Sequence, residues 1–385
     1  MRIGIDAHGL GGHSLGFGNE TYFGNLIAGL LEIDRRNEYH IFVNYPEAAQ
    51  EIVRNRPNAK VVSLFPRTQW LQRPISLPVY ANLHKLDLVH CPFVRPPFTG
   101  AKTVITVHDA NFELFPYDFT FIERWRMKLL VPSTCRFADL IFTVSEFTRK
   151  ELHRIYQIPL EKIVVTHNAA DHLPVAQLGR DGDQPVKFEL PEHYIFFVGM
   201  IQPKKNLPRL IQAFDLVKSR TDLPHHLLIA GKWGWGNDKL NQVLASAMHR
   251  DKIHFLGYLY PKEVVSVMLR ADMFAFPSLY ESFGIPPMEA QRQGVPALVS
   301  NTTCFPEIYG DSVMYCDPYN VRSIADAMQT LLMNPHLRSE LVRRGSSSHH
   351  RFSWRRTAEI ALEAYERLLQ EDVGRRAIAT AHGAS

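Results

Sequence analysis

Met273-Phe274-Ala275-Phe276-Pro277-Ser278-Leu279-Tyr280-Glu281-Ser282-Phe283-Gly284-Ile285-Pro286-Pro287-Met288-Glu289 passes from an apolar run through a polar loop into a proline-marked helical pattern. The apolar tetrapeptide reads as a buried strand, and Gly294 supplies a helix stop. Pro286 and Pro287 disfavour helix before them and suit its first turn, so Glu281 falls in the loop and Glu289 just inside the helix. A strand-loop-helix turn with an acid on either side of a cluster of backbone N–H groups is suited to holding a polyol and an anion together. Taken alone, the two acids would read as a dipole cap and a solvated loop carboxylate. The surrounding chain decides against that reading.

At 385 residues the chain is too long for one ordinary core and implies about two domains. With 45% hydrophobic and 21% charged residues its composition is that of a soluble globular protein. No apolar run approaches the roughly 18 residues of a membrane span. Met1-Arg2-Ile3-Gly4-Ile5-Asp6 enters a strand directly, leaving no room for a signal peptide, so the expected location is cytoplasmic. Cys91, Cys135, Cys304 and Cys316 are widely spaced in or beside apolar segments and read as reduced core thiols. A net charge of +4 could attract anionic substrates or an anionic membrane but falls short of a nucleic-acid signature. The pairs His225-His226 and His349-His350 have no carboxylate or cysteine at ligand spacing, so no metal is expected.

Short β-rich runs alternate with amphipathic stretches: Ile3 to Ala7, His40 to Asn44, Lys60 to Leu64, Leu88 to His90, Thr103 to His108 and Leu140 to Val144. After a polar break with glycines and prolines a second series follows: Tyr194 to Val198, His226 to Ala230, Ile253 to Phe255, Met273 to Phe276, Pro296 to Ser300 and Val313 to Cys316. Such alternation predicts parallel sheets covered by helices on both faces, with ligands beyond the carboxyl ends of the strands. The expected organisation is a first α/β domain over residues 1–170, a linker over 171–192 and a second domain over 193–352. A helix over 353–371 and a disordered tail over 372–385 complete it.

The segments that carry chemistry fall just after predicted strands. Gly9 to Glu20 is glycine-rich and opens a helix, as a phosphate cradle or a flexible turn would, but has neither the dinucleotide fingerprint nor a P-loop Gly-Lys-Ser/Thr. Gly199-Met200-Ile201-Gln202-Pro203-Lys204-Lys205-Asn206 places a lysine where it could present its ammonium to a phosphate. His108 ends the predicted strand Thr103 to His108, at the sheet's carboxyl edge. Gly231-Lys232-Trp233-Gly234-Trp235-Gly236 has the wrong spacing for a P-loop and reads as a strand-to-helix loop. Asp181-Gly182-Asp183 lies in the linker without a strand before it and reads as a solvated turn, not a metal motif.

Together these segments resemble the retaining glycosyltransferases of the two-domain GT-B fold, specifically the family 4-like group with the Glu-(seven residues)-Glu signature that includes bacterial mannosyltransferases. The resemblance implies two doubly wound Rossmann-like domains facing across a cleft. It implies that Glu289 binds the nucleotide ribose, that Glu281 with the backbone of Ser282, Phe283 and Gly284 holds the donor sugar, and that Gly199 and Lys205 with Gly16, Phe17 and Gly18 face the diphosphate. His108 would lie near the reacting face of the sugar, and the last helix would cross back to the first domain. Many relatives carry an arginine where this chain has Met200, which leaves Lys205 and backbone amides more of the phosphate charge.

By the same resemblance, the expected reaction is metal-independent transfer of a hexose, mannose from GDP-mannose as the first choice, to a glycan or lipid-linked acceptor hydroxyl. No cofactor is expected. The alternatives are a nucleotide-sugar epimerase of related build and a non-catalytic sugar- or anion-binding protein; the missing fingerprint disfavours a nicotinamide enzyme. Phe121, Trp125 and Leu129 share one helical stripe flanked by Arg124, Arg126 and Lys128. The stripe would ordinarily pack on the core; the alternative is reversible docking on an anionic membrane, with Trp70 and Arg73 assisting.

Overall fold

The computed structural model describes residues 1–11, 18–66, 71–115, 121–173, 189–348 and 351–382. Two compact units divide the chain. The first comprises Met1–Ala110, Trp125–Asn168 and Phe352–Ser385, the second Asn111–Arg124 and Ala169–Arg351.

In the first unit, seven strands form one sheet: β1 (Arg2–Asp6), β2 (Glu38–Phe42), β3 (Ala59–Val62), β4 (Leu88–Pro92), β5 (Lys102–Thr106), β6 (Leu140–Thr143) and β7 (Ile163–Val165). Their order is β3-β2-β1-β4-β5-β6-β7 and every pairing is parallel. The short β7 is the one strand of this sheet that the sequence reading misses. Ile3, Ile5, Ile41, Val89, Val104, Ile105 and Ile141 are completely buried, as strands covered on both faces require.

The second unit repeats the plan with β8 (Tyr194–Val198), β9 (His226–Ala230), β10 (Ile253–Gly257), β11 (Met273–Phe276), β12 (Ala297–Ser300) and β13 (Met314–Cys316). The order β10-β9-β8-β11-β12-β13 is again wholly parallel. Phe196, Phe197, Phe274 and Phe276 fill its centre; Phe197 and Phe276 stack with ring centroids 5.5 Å apart. All four cysteines are buried and free, in keeping with core thiols.

In each sheet the chain reverses its direction of travel at one place, between β1 and β4 and between β8 and β11. Open parallel sheets bind ligands at such switch points, beyond the strands' carboxyl ends.

The last helix, Trp354–His382, belongs to the first unit. It packs on the helix Gly18–Ile33, where a Cβ on Gly29 would come within 2.9 Å of the Trp354 carbonyl oxygen. Tyr365 reaches through to His90 Nδ1 at 2.7 Å, and Thr357 Oγ1 donates to the His167 carbonyl at 2.5 Å. This helix runs on to His382, where the sequence reading expects a disordered tail. The alanine- and arginine-rich stretch after Asp372 has good helical propensity, with only Gly374 opposing it.

Candidate functional site: a strand-loop-helix junction in the second unit

The loops that follow β8 and β11 are neighbours, because β8 and β11 pair directly. After β8, Pro203–Lys205 forms a single tight turn closed by Asn206 in the left-handed conformation (φ 61°). The Asn206 side chain is buried and ties the neighbouring loops together, donating to the carbonyls of Pro277 at 2.9 Å and Pro318 at 2.7 Å. Leu279 N–H donates to the Lys204 carbonyl at 2.8 Å, joining the two loops through backbone as well.

These bonds fix Lys205 against Glu281. The ammonium Nζ donates to Glu281 Oε1 at 2.5 Å and lies 4.7 Å over the Phe276 ring. Both side chains are largely withdrawn from solvent, 13% and 12% exposed. Glu281 is therefore not a solvated loop acid. It holds a half-desolvated cation in place at the switch point, and together the two groups offer an anion a partner already oriented.

The second carboxylate lies where the prolines predict. The helix Ile285–Arg292 begins after Gly284, whose φ of 80° suits glycine, and a Cβ there would come within 2.6 Å of the Phe305 ring. Tyr309 OH donates to the Gly284 carbonyl, pinning the turn. Phe283 is buried at 1% exposure, so its backbone and not its ring is what could face a ligand; Ser282 is half-buried. Glu289 occupies the second turn, 16% exposed, and burial raises its pKa from 4.5 to about 7. His172 Nε2 lies 3.7 Å from Glu289 Oε1, and burial holds that imidazole below its ordinary range. Arg292 Nε, at the end of the same helix, donates to the Leu173 carbonyl at 2.9 Å.

Gly199 leads from β8 into this site, and the loop after β9 closes over it. The bond from Gly199 N–H to the Ala230 carbonyl, 3.0 Å, extends the pairing past the strand ends. A Cβ on Gly231 would fall 1.9 Å from the Gly199 carbonyl oxygen, so only glycine fits there. Gly231–Gly236 does lead from β9 toward a helix, Asp238–Ser246.

His108 lies in the first unit, two residues beyond β5. Its Nε2 meets Asn19 Oδ1 at 3.0 Å, and the Tyr22 ring lies edge-on at 5.0 Å. Burial lowers its pKa to about 4, so the ring is neutral at pH 7. Gly18 is the first residue of the helix Gly18–Ile33, while Gly16, Phe17 and the Asp181-Gly182-Asp183 turn lie outside the described residues.

Two family patterns match successive stretches of this chain. Residues 18–172 match the family described as Glycosyltransferase Family 4 and residues 182–348 the one described as Glycosyl transferases group 1. The chain belongs to the GT-B glycosyltransferases. Among curated relatives, this glycosyltransferase is 29% identical over 340 residues to the O-antigen chain mannosyltransferase B of Escherichia coli, covering 82% of this chain and 87% of the relative. Among solved structures it resembles sucrose-phosphate synthase from Thermosynechococcus elongatus, at 16% identity and a TM-score of 0.77 over 96% of this chain and 100% of that one. It also resembles Anabaena HepE in complex with UDP and glucose, at 15% identity and a TM-score of 0.69 over 95% and 100% of the two chains.

Three features of the glycosyltransferase escape sequence reading. His172 falls in the stretch read as linker, yet it stands against Glu289. Asp6, wholly buried at the end of β1, pairs with Arg73 Nε at 2.9 Å and with His8 Nδ1, which holds its carboxyl far below the usual range. Arg73 is thereby committed to the interior and does not serve a membrane surface, since an acid buried without its cation would be costly. Trp125 and Leu129, in the helix Phe121–Phe137, are 61% and 73% exposed, so these two members of the stripe do not pack on the core. Trp70 lies outside the described residues.

Proposed function

We propose that the protein is a retaining, metal-independent hexosyltransferase that moves mannose from GDP-mannose to a hydroxyl of a glycan or lipid-linked acceptor. The observation that carries this reading is the pairing of Lys205 with Glu281 at the switch point, in the loop that leads into the helix bearing the half-buried Glu289. A nucleoside diphosphate sugar carries the complementary groups: a diol for Glu289, a diphosphate for the Lys205 ammonium and nearby amides, and a polyol for Glu281 with the backbone of Ser282 and Gly284. The choice of mannose rests on the relative named as an O-antigen chain mannosyltransferase; HepE, whose structure holds UDP and glucose, supports a nucleotide sugar in general.

Breaking the bond from anomeric carbon to diphosphate builds positive character on the sugar and negative charge on the leaving group. Lys205 and the backbone N–H groups after β8 and β11 are arranged to stabilise that leaving group by preorganised electrostatics. No second carboxylate is assigned as nucleophile, so the acceptor hydroxyl attacks from the face the diphosphate leaves, passing its proton to the departing phosphate oxygen. The new bond then keeps the anomeric configuration of the donor. Neutral His108 is proposed to hydrogen-bond the sugar near the reacting carbon. No metal or other cofactor takes part, because fixed cationic and N–H groups supply the charge.

Among the described residues no helix is long and apolar enough to cross a membrane. The exposed Trp125, Leu129 and Phe137 of the helix Phe121–Phe137, with Arg124, Arg126 and Lys128 on the same helix, support reversible docking on an anionic membrane from the cytoplasmic side, where a lipid-linked acceptor would be met.

Transfer from GDP-mannose to candidate acceptors in excess EDTA is the test, with the anomeric configuration of the product read by NMR. Turnover that vanishes with chelator and returns with magnesium or manganese refutes the metal-free mechanism, and an inverted product refutes retention. Release of an epimerised sugar without acceptor would mark an epimerase instead.

A further inference from the structure

Strands β8, β9 and β11 lie side by side, and at the amino end of each, opposite to the donor site, stands one residue able to bind a metal: His193, His225 and Asp272. Their donor atoms all lie within 4.8 Å of one another. His193 Nδ1 is 3.2 Å and His225 Nε2 3.4 Å from Asp272 Oδ2. Two ligands bound at 2.0–2.2 Å to a tetrahedral zinc-type ion are separated by roughly 3.3–3.6 Å, so both spacings are close to two edges of such a site before any ion enters.

The frame that holds these groups is rigid. Tyr194 N–H donates to Asp272 Oδ2 at 3.2 Å and Asp272 N–H to the Tyr194 carbonyl at 3.0 Å, while His226 N–H donates to the His193 carbonyl at 3.0 Å. The carboxylate is thus oriented by backbone, as metal-binding carboxylates are. The three side chains grade from covered to open: His225 is 9% exposed, Asp272 26% and His193 44%. An ion would therefore be reached from the His193 side, leaving its fourth position to solvent. His225 Nδ1 is buried with no hydrogen-bond partner among the described residues, while the other ring nitrogen, Nε2, faces Asp272 Oδ2.

We propose that His193, His225 and Asp272 bind one divalent transition-metal ion of the zinc type, which clamps the amino ends of β8, β9 and β11. Two imidazoles and a carboxylate suit such an ion better than magnesium or calcium, which prefer all-oxygen sets. The sites are separated by the length of β8, about 16 Å for five residues, so the clamp stabilises the second unit and takes no part in transfer.

Chelator-stripped full-length protein titrated with Co²⁺ tests the proposal. One equivalent should give saturable visible d–d bands of a four-coordinate site, be displaced by Zn²⁺, and raise the melting temperature. His193→Ala, at the exposed ligand, should retain native circular dichroism yet bind Co²⁺ at least tenfold more weakly and lose the thermal shift. Asp272→Asn should do the same, while His226→Ala, beside the cluster, should bind as wild type does. Absence of saturable binding by wild type, or equal affinity in wild type and His193→Ala, overturns the assignment. A chelator that stops turnover in His193→Ala as well, assayed well below its melting temperature, would instead tell against the metal-free reaction and leave the clamp standing on its own titration.

Discussion

Replacing Glu289 by glutamine should make the protein more stable and a poorer nucleotide binder at once. In the folded chain, burial raises this carboxyl from 4.5 to about 7, while His172, itself held neutral by burial, lies 3.7 Å away and gives no compensating charge. The folded state therefore holds this proton more tightly than the unfolded state does. Stability from this group is greatest below about pH 4.5, falls as pH rises toward 7 and is lowest above it. At about 1.4 kcal/mol per pH unit, the ionised side chain costs the fold about 3 kcal/mol at pH 8. Glutamine has the same shape and no charge to desolvate. Urea unfolding of Glu289→Gln should thus show a gain approaching about 3 kcal/mol at pH 8 and almost none at pH 4.5. Calorimetry with GDP at pH 8 should show affinity weakened by about 2 kcal/mol or more, because the ionised carboxylate is the proposed acceptor of both ribose hydroxyls. An equal stability change at both pH values would refute the buried-acid argument, and unchanged GDP affinity would refute the ribose assignment.

Lys205→Ala strands Glu281 without its cation and should cost about 3 kcal/mol of stability as well as about 100-fold in kcat/KM; adding Glu281→Gln should recover stability and not turnover. His108, with its pKa lowered to about 4, contributes stability that is complete above pH 6.5 and lost as pH falls toward 4. An acid limb near pH 7 in kcat/KM should accordingly vanish in Glu289→Gln and survive in His108→Asn, whose turnover falls about 100-fold; loss of the limb in the His108 variant would reassign it. Glutamine at Arg124, Arg126 and Lys128 should markedly weaken sedimentation with anionic liposomes at low salt, since each basic group near such a surface contributes about 1 kcal/mol. Equal sedimentation of variant and wild type, or none by either, points to a soluble acceptor.

Strands were legible where an apolar run ended in a glycine or proline, as at Met273–Phe276, and β7 was missed because three apolar residues after a helical stretch carry too short a period. The junction around Glu281 and Glu289 was legible from its prolines, which act locally. What joined it to the rest was not. The bond from Lys205 to Glu281 and the meeting of His193, His225 and Asp272 depend on which strands lie side by side, and the approach of His172 to Glu289 on the path of the segment after β7; residue spacing alone carries no record of either. The exposed stripe at Trp125 and Leu129 shows the converse limit: a periodicity marks a face without saying what covers it.

The seating of Trp354–His382 on the helix Gly18–Ile33 has a consequence for the order in which the protein is made. The first sheet is complete once β7 has been synthesised, yet Gly29, Tyr22 and His90 each also pack or bond against the closing helix, which arrives only after the whole second unit has been translated. A nascent chain halted at Arg351 therefore carries an open apolar seam on its oldest part beside a second unit whose own strands are all present. Domains generally fold as units during synthesis, and exposed apolar surface invites association with other chains. During translation the amino-terminal half should be the chaperone client, and the carboxyl-terminal residues act as the latch that ends that dependence.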